Sequence, residues 1–178
     1  MIQYKTGNVI TEFEKGDYQL LLHGCNCFHT MGSGIAKAIK DRYPEAYDAD
    51  KRTVYGDYNK LGTVSYIRLE NNVVVDDSHI MTSPHSVNDT KYKYIINCYT
   101  QYSYGTDMPH LNYPALEMCF DKIASIFPYC HKIIMGKIGC VRAGGDWEVV
   151  SKIINKYFED VTVYELPLKN VKNYVRIK

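Results

Sequence analysis

Apolar residues along this chain gather in short runs of two kinds, and the two kinds alternate. Residues 20–23 and 94–99 are predominantly apolar runs and predict strands buried on both faces. Shorter strands are predicted at 2–5, 132–135 and 161–166. Residues 34–43 follow the helical period, with Ile35 and Ile39 on one face and Pro44 as the stop. Residues 45–52 predict a second helical piece. The clearest helix is 112–127: Pro114 sits in its first turn, and Leu116, Phe120, Ile123 and Phe127 share a face. In 146–158, Asp146 is a capping residue, and Val149, Val150, Ile153, Ile154 and Tyr157 form the apolar face. Residues 62–70 alternate, and Asn71-Asn72 predicts a turn into 73–75, hence a hairpin. The polar, proline-containing stretch 79–93 predicts a surface loop.

Strands alternating with helices predict an α/β fold around a largely parallel sheet covered on both faces. In such sheets ligands bind off the carboxyl ends of the strands. The chain has 178 residues, no internal repeat and no linker, so it reads as one domain over 1–178. Residues 168–178 form a basic carboxyl-terminal segment, read either as a contact for an acidic partner or as a solvated or edge-pairing end. A 46% hydrophobic and 23% charged composition excludes a disordered chain or a coiled coil. The formal net charge of +1 argues against a basic nucleic-acid module or a polybasic membrane binder. No apolar run approaches the roughly 18 residues of a membrane span, and the amino end lacks a basic-then-apolar signal. A cytoplasmic protein with no membrane partner is therefore expected. The six cysteines read as buried reduced thiols. Seventeen tyrosines suit sugar and base contacts at strand and loop edges.

Two segments repeat one design. After the first apolar strand come His23-Gly24-Cys25-Asn26-Cys27, a loop, and then Met31-Gly32-Ser33-Gly34-Ile35-Ala36 entering a helix. After 132–135 come Gly136-Lys137-Ile138-Gly139-Cys140 and Val141-Arg142-Ala143-Gly144-Gly145-Asp146, again entering a helix. Glycines let backbone N–H groups converge on an anion, and the helix dipole adds favourable potential. Two such loops at one sheet edge predict a grip on both halves of a pyrophosphate. The glycine spacing is not that of a Rossmann turn, and no P-loop or Gly-x-Ser-x-Gly elbow occurs.

The densest polar cluster is His23, Gly24, Cys25, Asn26 and Cys27. A zinc site would use His-x-Cys-x-Cys, but the spacing is unusual and no second pair appears, so no metal is expected. A thiol nucleophile at Cys25 or Cys27 would need a base such as His29. A sugar or phosphate site would use Asn26 as donor and acceptor and His23 as a proton shuttle. For His23 the alternative is a core histidine bonded to a backbone carbonyl.

At these residues the sequence resembles the macro domain family, which binds ADP-ribose. The resemblance runs from Lys5-Thr6-Gly7-Asn8-Val9-Ile10 through both glycine-rich segments and Tyr94 to Tyr102, and ends with Asp146-Trp147-Glu148 and Val161-Thr162-Val163-Tyr164. Within the family it is most similar to the branch of ADP-ribose-1″-phosphate phosphatases and terminal ADP-ribose–protein glycohydrolases. The resemblance implies a three-layer α/β/α sandwich with a mixed, mostly parallel sheet and ADP-ribose in a cleft above it, with no cofactor. It implies that Asn8 and Val9 meet the adenine, with Tyr164 flanking it. Gly24 and Cys25 belong to the cleft, and Asn26 faces the distal ribose. Gly32, Ser33, Gly34 and Ile35 would form the first phosphate loop, and Gly139, Cys140, Val141, Arg142, Ala143, Gly144 and Gly145 the second. The family usually has Asp where this chain has Asn8, which can still accept from the adenine amino group through its amide oxygen. The lysine nucleophile and aspartate of the glycohydrolases correspond to Cys98 or Tyr99 and to Ala143. Hydrolysis of a distal-ribose substituent, foremost the phosphate of ADP-ribose-1″-phosphate, is therefore expected, with His23, Asn26 and Asp146 as the catalytic candidates. The alternatives are a non-catalytic ADP-ribose binder and a hydrolase acting on ADP-ribosylated protein or nucleic acid.

Overall fold

Strand β2 (Leu20–Cys25) explains why its apolar run does not alternate. Leu20 and Leu22 point into one apolar core and Leu21 into a second, and all three are fully buried. A strand with helices on both faces has no polar side to show. In the computed structural model the described residues are 1–75 and 91–168. They form β1 (Ile2–Thr6), α1 (Val9–Lys15), β2, α2 (Gly34–Arg42), α3 (Pro44–Lys51), a 3₁₀ turn at Tyr58–Lys60, β3 (Val64–Glu70), β4 (Val73–Val74), β5 (Tyr92–Tyr99), α4 (Tyr113–Ile126), β6 (Lys132–Met135), α5 (Trp147–Tyr157) and β7 (Asp160–Glu165).

The sheet order is β1-β7-β6-β2-β5-β3-β4. The first five strands run parallel, whereas β3 and β4 are antiparallel additions at one side. Residues of α4 and α5 build the core on one face, and residues of α1, α2 and α3 build the other. The three-layer mixed sandwich expected from the sequence is therefore present. Because five strands are parallel, their carboxyl ends share one edge. Along that edge the chain leaves β1 at Gly7, β6 at Gly136, β2 at Asn26 and β5 at Thr100.

Most predicted elements lie within a few residues of their expected bounds. Asn71 and Asn72 turn the β3–β4 hairpin at φ 50° and 60°, the left-handed pair that a two-residue turn requires. Pro44 ends α2 by becoming the first residue of α3. Three features differ from the sequence reading. Helix α1 was not predicted, because its apolar face is only Ile10 and Phe13. Val149 in α5 is 40% exposed rather than part of the apolar face. Tyr92 and Lys93, expected in a loop, belong to β5, where Lys93 Nζ donates to the carbonyls of Phe13 and Gly16. Residues 79–90 of that loop and residues 169–178 of the basic segment lie outside the described residues. No helix among the described residues is long and apolar enough to cross a membrane.

Asp146 is the N-cap of α5, its carboxylate accepting from Glu148 N at 2.9 Å. Asp146→Ala is expected to destabilise the fold by about 1 kcal/mol, read as a lower denaturation midpoint with an unchanged slope.

Candidate functional site

The two glycine-rich loops leave adjacent strands, β6 and β2, and touch each other. Gly34 opens α2 at φ +58°, where a Cβ would lie 3.3 Å from Arg142 Nε and 3.5 Å from its Cδ. Gly136 faces Ile35, whose Cδ1 would be 3.7 Å from an added Cβ. The Arg142 side chain therefore lies across the first loop. Gly32 has no atom within 4 Å of its Cβ position, so the backbone there is open to a ligand. Inside the second loop Gly145 N donates to Gly139 O at 2.9 Å. A Cβ at Gly145 would collide with Leu111 and stand 2.8 Å from Gly139 O, so this tight turn excludes side chains. Ala143 is buried and its carbonyl accepts from His110 N and Leu111 N. Val141 is 82% exposed, and Cys140 packs partly into the core.

Helices α1, α4 and α5 have side-chain caps from Asn8, Asn112 and Asp146. Helix α2 has none, because Ser33 makes no capping bond. Among the described residues no acceptor meets the N–H groups of Gly34, Ile35 and Ala36. Unpaired N–H groups and the positive end of the dipole make this a place for an anion.

At the β1 end of the edge Asn8 is exposed, while the first turn of α1 behind it is partly to fully buried. Asn8 Oδ1 already accepts from Ile10 N at 3.0 Å and Thr11 N at 3.2 Å. Its carbonyl side is therefore committed to the cap, and the amide NH₂ is what remains for a ligand. This corrects the expectation that Asn8 accepts from a base. Val9 packs against the second core. Tyr164 lies below Gly7, 8% exposed, with its hydroxyl 3.4 Å from that of Tyr18.

His23 lies beneath the site rather than in it. It is 1% exposed, and its Nε2 is 2.6 Å from Asn97 Oδ1. The direction of that bond follows from its neighbours. Asn97 Nδ2 donates to Ala46 O and Ser65 Oγ, so Oδ1 must accept and His23 Nε2 must carry the proton. Ser65 Oγ bonds Tyr99 OH at 2.9 Å, and Tyr99 OH donates to Asp50 Oδ1 at 2.8 Å. Every donor in this chain points toward the buried Asp50 carboxylate, which pairs with Lys60 at 3.9 Å. Lys60 also donates to Cys27 O and lies over the Tyr99 ring. The proton-shuttle reading of His23 gives way to the core reading, with a side-chain rather than a backbone acceptor.

Asn26 is 7% exposed and folds its own loop, accepting from Phe28 N and donating to Thr30 O and Thr30 Oγ1. It thereby shapes the loop that follows β2, a role the sequence reading did not include. The Cys25 thiol is buried, 3.7 Å from His23 Nδ1, and burial pushes its pKa well up, so a thiolate nucleophile is disfavoured. Gly24 faces Thr100, whose Oγ1 would be 2.9 Å from a Cβ. The sequence reading missed Asn97, Asp50 and Lys60. Only Asn97 left a signal, as a lone amide inside an apolar run.

No protein-family model matches the chain. A 17.5 kDa protein from the tk-vs intergenic region of Enterobacteria phage T4 is 32% identical over 164 residues, 88% of this chain and 90% of that protein. An ADP-ribose 1″-phosphate phosphatase of Neosartorya fischeri is 38% identical over 73 residues, 40% of this chain but 34% of the enzyme. A macrodomain protein from Streptomyces coelicolor matches with a TM-score of 0.64 at 21% identity, over 93% of this chain and 99% of its own. The architecture is that of a macrodomain. The phage protein is a relative over nearly its full length, and the likeness to the Streptomyces structure is one of fold.

Burial pushes the His23 pKa down to about 4, only partly countered by the Asn97 bond. The unfolded chain binds its proton near 6.5, so it is protonated first as pH falls, and stability drops between about 6.5 and 4. The drop is about 3 kcal/mol at 1.36 kcal/mol per unit. Urea melts at pH 7 and 4.5 on wild type and His23→Gln are expected to show this acid loss shrinking in the variant.

Proposed function

We propose that this chain binds ADP-ribose along the carboxyl edge of its sheet and releases phosphate from ADP-ribose 1″-phosphate. The observation that carries the reading is the contact between the two glycine-rich loops, with Arg142 across Gly34 and uncapped N–H groups beside it. A diphosphate between them would meet backbone donors from two loops and a guanidinium suited to bidentate pairing. The adenine would then lie over α1, by Asn8 and Val9, and the distal ribose over β2 and β5, by Asn26. Binding energy from the remote nucleotide orients the reacting end of such a substrate. The alignment with phosphatases supports the reaction, although it spans about a third of the Neosartorya enzyme. The absence of a lysine at Cys98 or Tyr99, and Ala143 in the second loop, speak against lysine-dependent glycohydrolysis. We place the protein in the cytoplasm, where its six free thiols would stay reduced.

Calorimetry with ADP-ribose and phosphate release from ADP-ribose 1″-phosphate test the two halves. Saturable one-to-one binding together with turnover is the expected result. Binding without release from any conjugate would leave a reader, and no binding would end both halves.

Asn8→Asp keeps a capping oxygen and adds a second acceptor for the adenine amino group. It is expected to tighten ADP-ribose binding about tenfold, the factor that one charge-assisted hydrogen bond supplies, while the melting midpoint is held or raised.

A further inference from the structure

His29 stands in the left-handed region at φ +53°, which few non-glycine residues adopt, histidine more often than most. Such strain survives only where the surroundings over-determine it, and it collects at functional sites. Here the surroundings do so from several elements. Asn26 braces the loop on both sides of its tip. Tyr47 from α3 donates its hydroxyl to His29 O at 3.1 Å. Tyr55 meets the imidazole edge-on, with centroids 5.5 Å apart.

Thr53 fixes the ring. Its single hydroxyl proton goes to Asp50 O at 2.5 Å, so its oxygen accepts from His29 Nε2 at 3.1 Å. Nδ1 is then the nitrogen that no described residue engages. This loop follows β2 on the β5 side: Cys27 N donates to Tyr102 O, just beyond β5. It is the end of the edge away from α1, hence the distal-ribose end of the reading above, on which this inference rests. Other candidates near the loops are committed elsewhere. His23 is buried on Asn97, Cys25 is buried, Asp146 caps α5, and His110 pairs with Asp107 at 3.3 Å. His29 alone of these is half-buried rather than sealed or tied to a carboxylate.

We propose that His29 is the general acid of the distal-ribose site, giving a proton from Nδ1 to the anomeric oxygen as phosphate departs. Water attacks phosphorus, and the bond between phosphorus and the anomeric oxygen breaks with its electron pair on oxygen. That oxygen takes the Nδ1 proton and becomes the hydroxyl of ADP-ribose. The attacking water keeps both protons as part of dihydrogen phosphate, and the neutral imidazole regains a proton from solvent. Thr53 and Tyr47 hold the ring so that Nδ1 rather than Nε2 does this.

The test uses two variants chosen for the strained backbone. Glycine accepts φ +53° freely and asparagine more readily than most residues, so His29→Gly and His29→Asn should fold as well as wild type. Each is expected to lower kcat for ADP-ribose 1″-phosphate by about 10²–10³-fold, the span of a lost general acid. The calorimetric Kd for ADP-ribose should stay within about twofold of wild type. Added imidazole is expected to restore phosphate release to His29→Gly, which a purely structural role would not allow. Turnover by either variant at the wild-type rate overturns the proposal and leaves the phosphatase reading intact. So does a parallel loss of ADP-ribose affinity and rate without imidazole rescue. A wild-type protein that binds ADP-ribose but releases no phosphate overturns both the phosphatase reading and this proposal. A wild-type protein that binds neither ligand removes the ADP-ribose reading as well.

Discussion

Asn97 sits in the middle of β5 with no solvent contact, and every polar atom around it has to be satisfied from inside the protein. It does this for three neighbours at once: the imidazole of β2, the hydroxyl of Ser65 in β3 and the carbonyl of Ala46 in α3. The chain of donors continues through Tyr99 to Asp50 and its partner Lys60, and Lys60 reaches Cys27 O at the foot of the loop after β2. A half-satisfied network of this kind would cost more than an apolar core. The loop that carries Asn26 and His29 therefore rests on a hydrogen-bonded platform, and its position relative to the sheet follows from that platform. Thr53, which bonds both Asp50 O and His29, couples the two directly.

The second loop is held in a different way. Gly145 and Gly139 close it through one backbone bond, with Leu111 filling the space a side chain would need. Pro109 and His110 line its other flank through Gly144 and Ala143. One loop is positioned by buried polarity and the other by close packing of backbone against apolar side chains. The two loops meet at the same rim, because parallel neighbours β6 and β2 end on the same side, and the first of them leaves the N–H groups that open α2 without acceptors. Arg142 bridges the gap between them.

The sequence had much of this in view. The alternation of strand-like and helix-like runs carried the α/β class, because helix and strand demand different apolar periods. Asp146 and Pro114 marked helix starts, and Asn71-Asn72 marked a turn, each through a local backbone requirement. The glycine-rich segments were visible for the same reason. Helix α1 escaped because two buried residues make too short a pattern, and the extension of β5 to Tyr92 escaped because its register comes from pairing with β3 rather than from its own residues.

For the site, the residue types were legible but their roles were not. His23, Asn26 and Asn8 are all polar groups at the expected sheet edge, yet His23 and Asn26 spend their hydrogen bonds inside the fold and Asn8 commits its oxygen to the cap of α1. Burial depends on what packs above a strand end, and no local pattern encodes that. The sequence by itself determined the alternating architecture and the two glycine-rich loops, since these rest on periodicity and on the absence of side chains. Only the tertiary structure decided which imidazole is sealed and which stands at the rim. That choice comes from contacts 24 and 74 residues apart, His29 with Thr53 and His23 with Asn97.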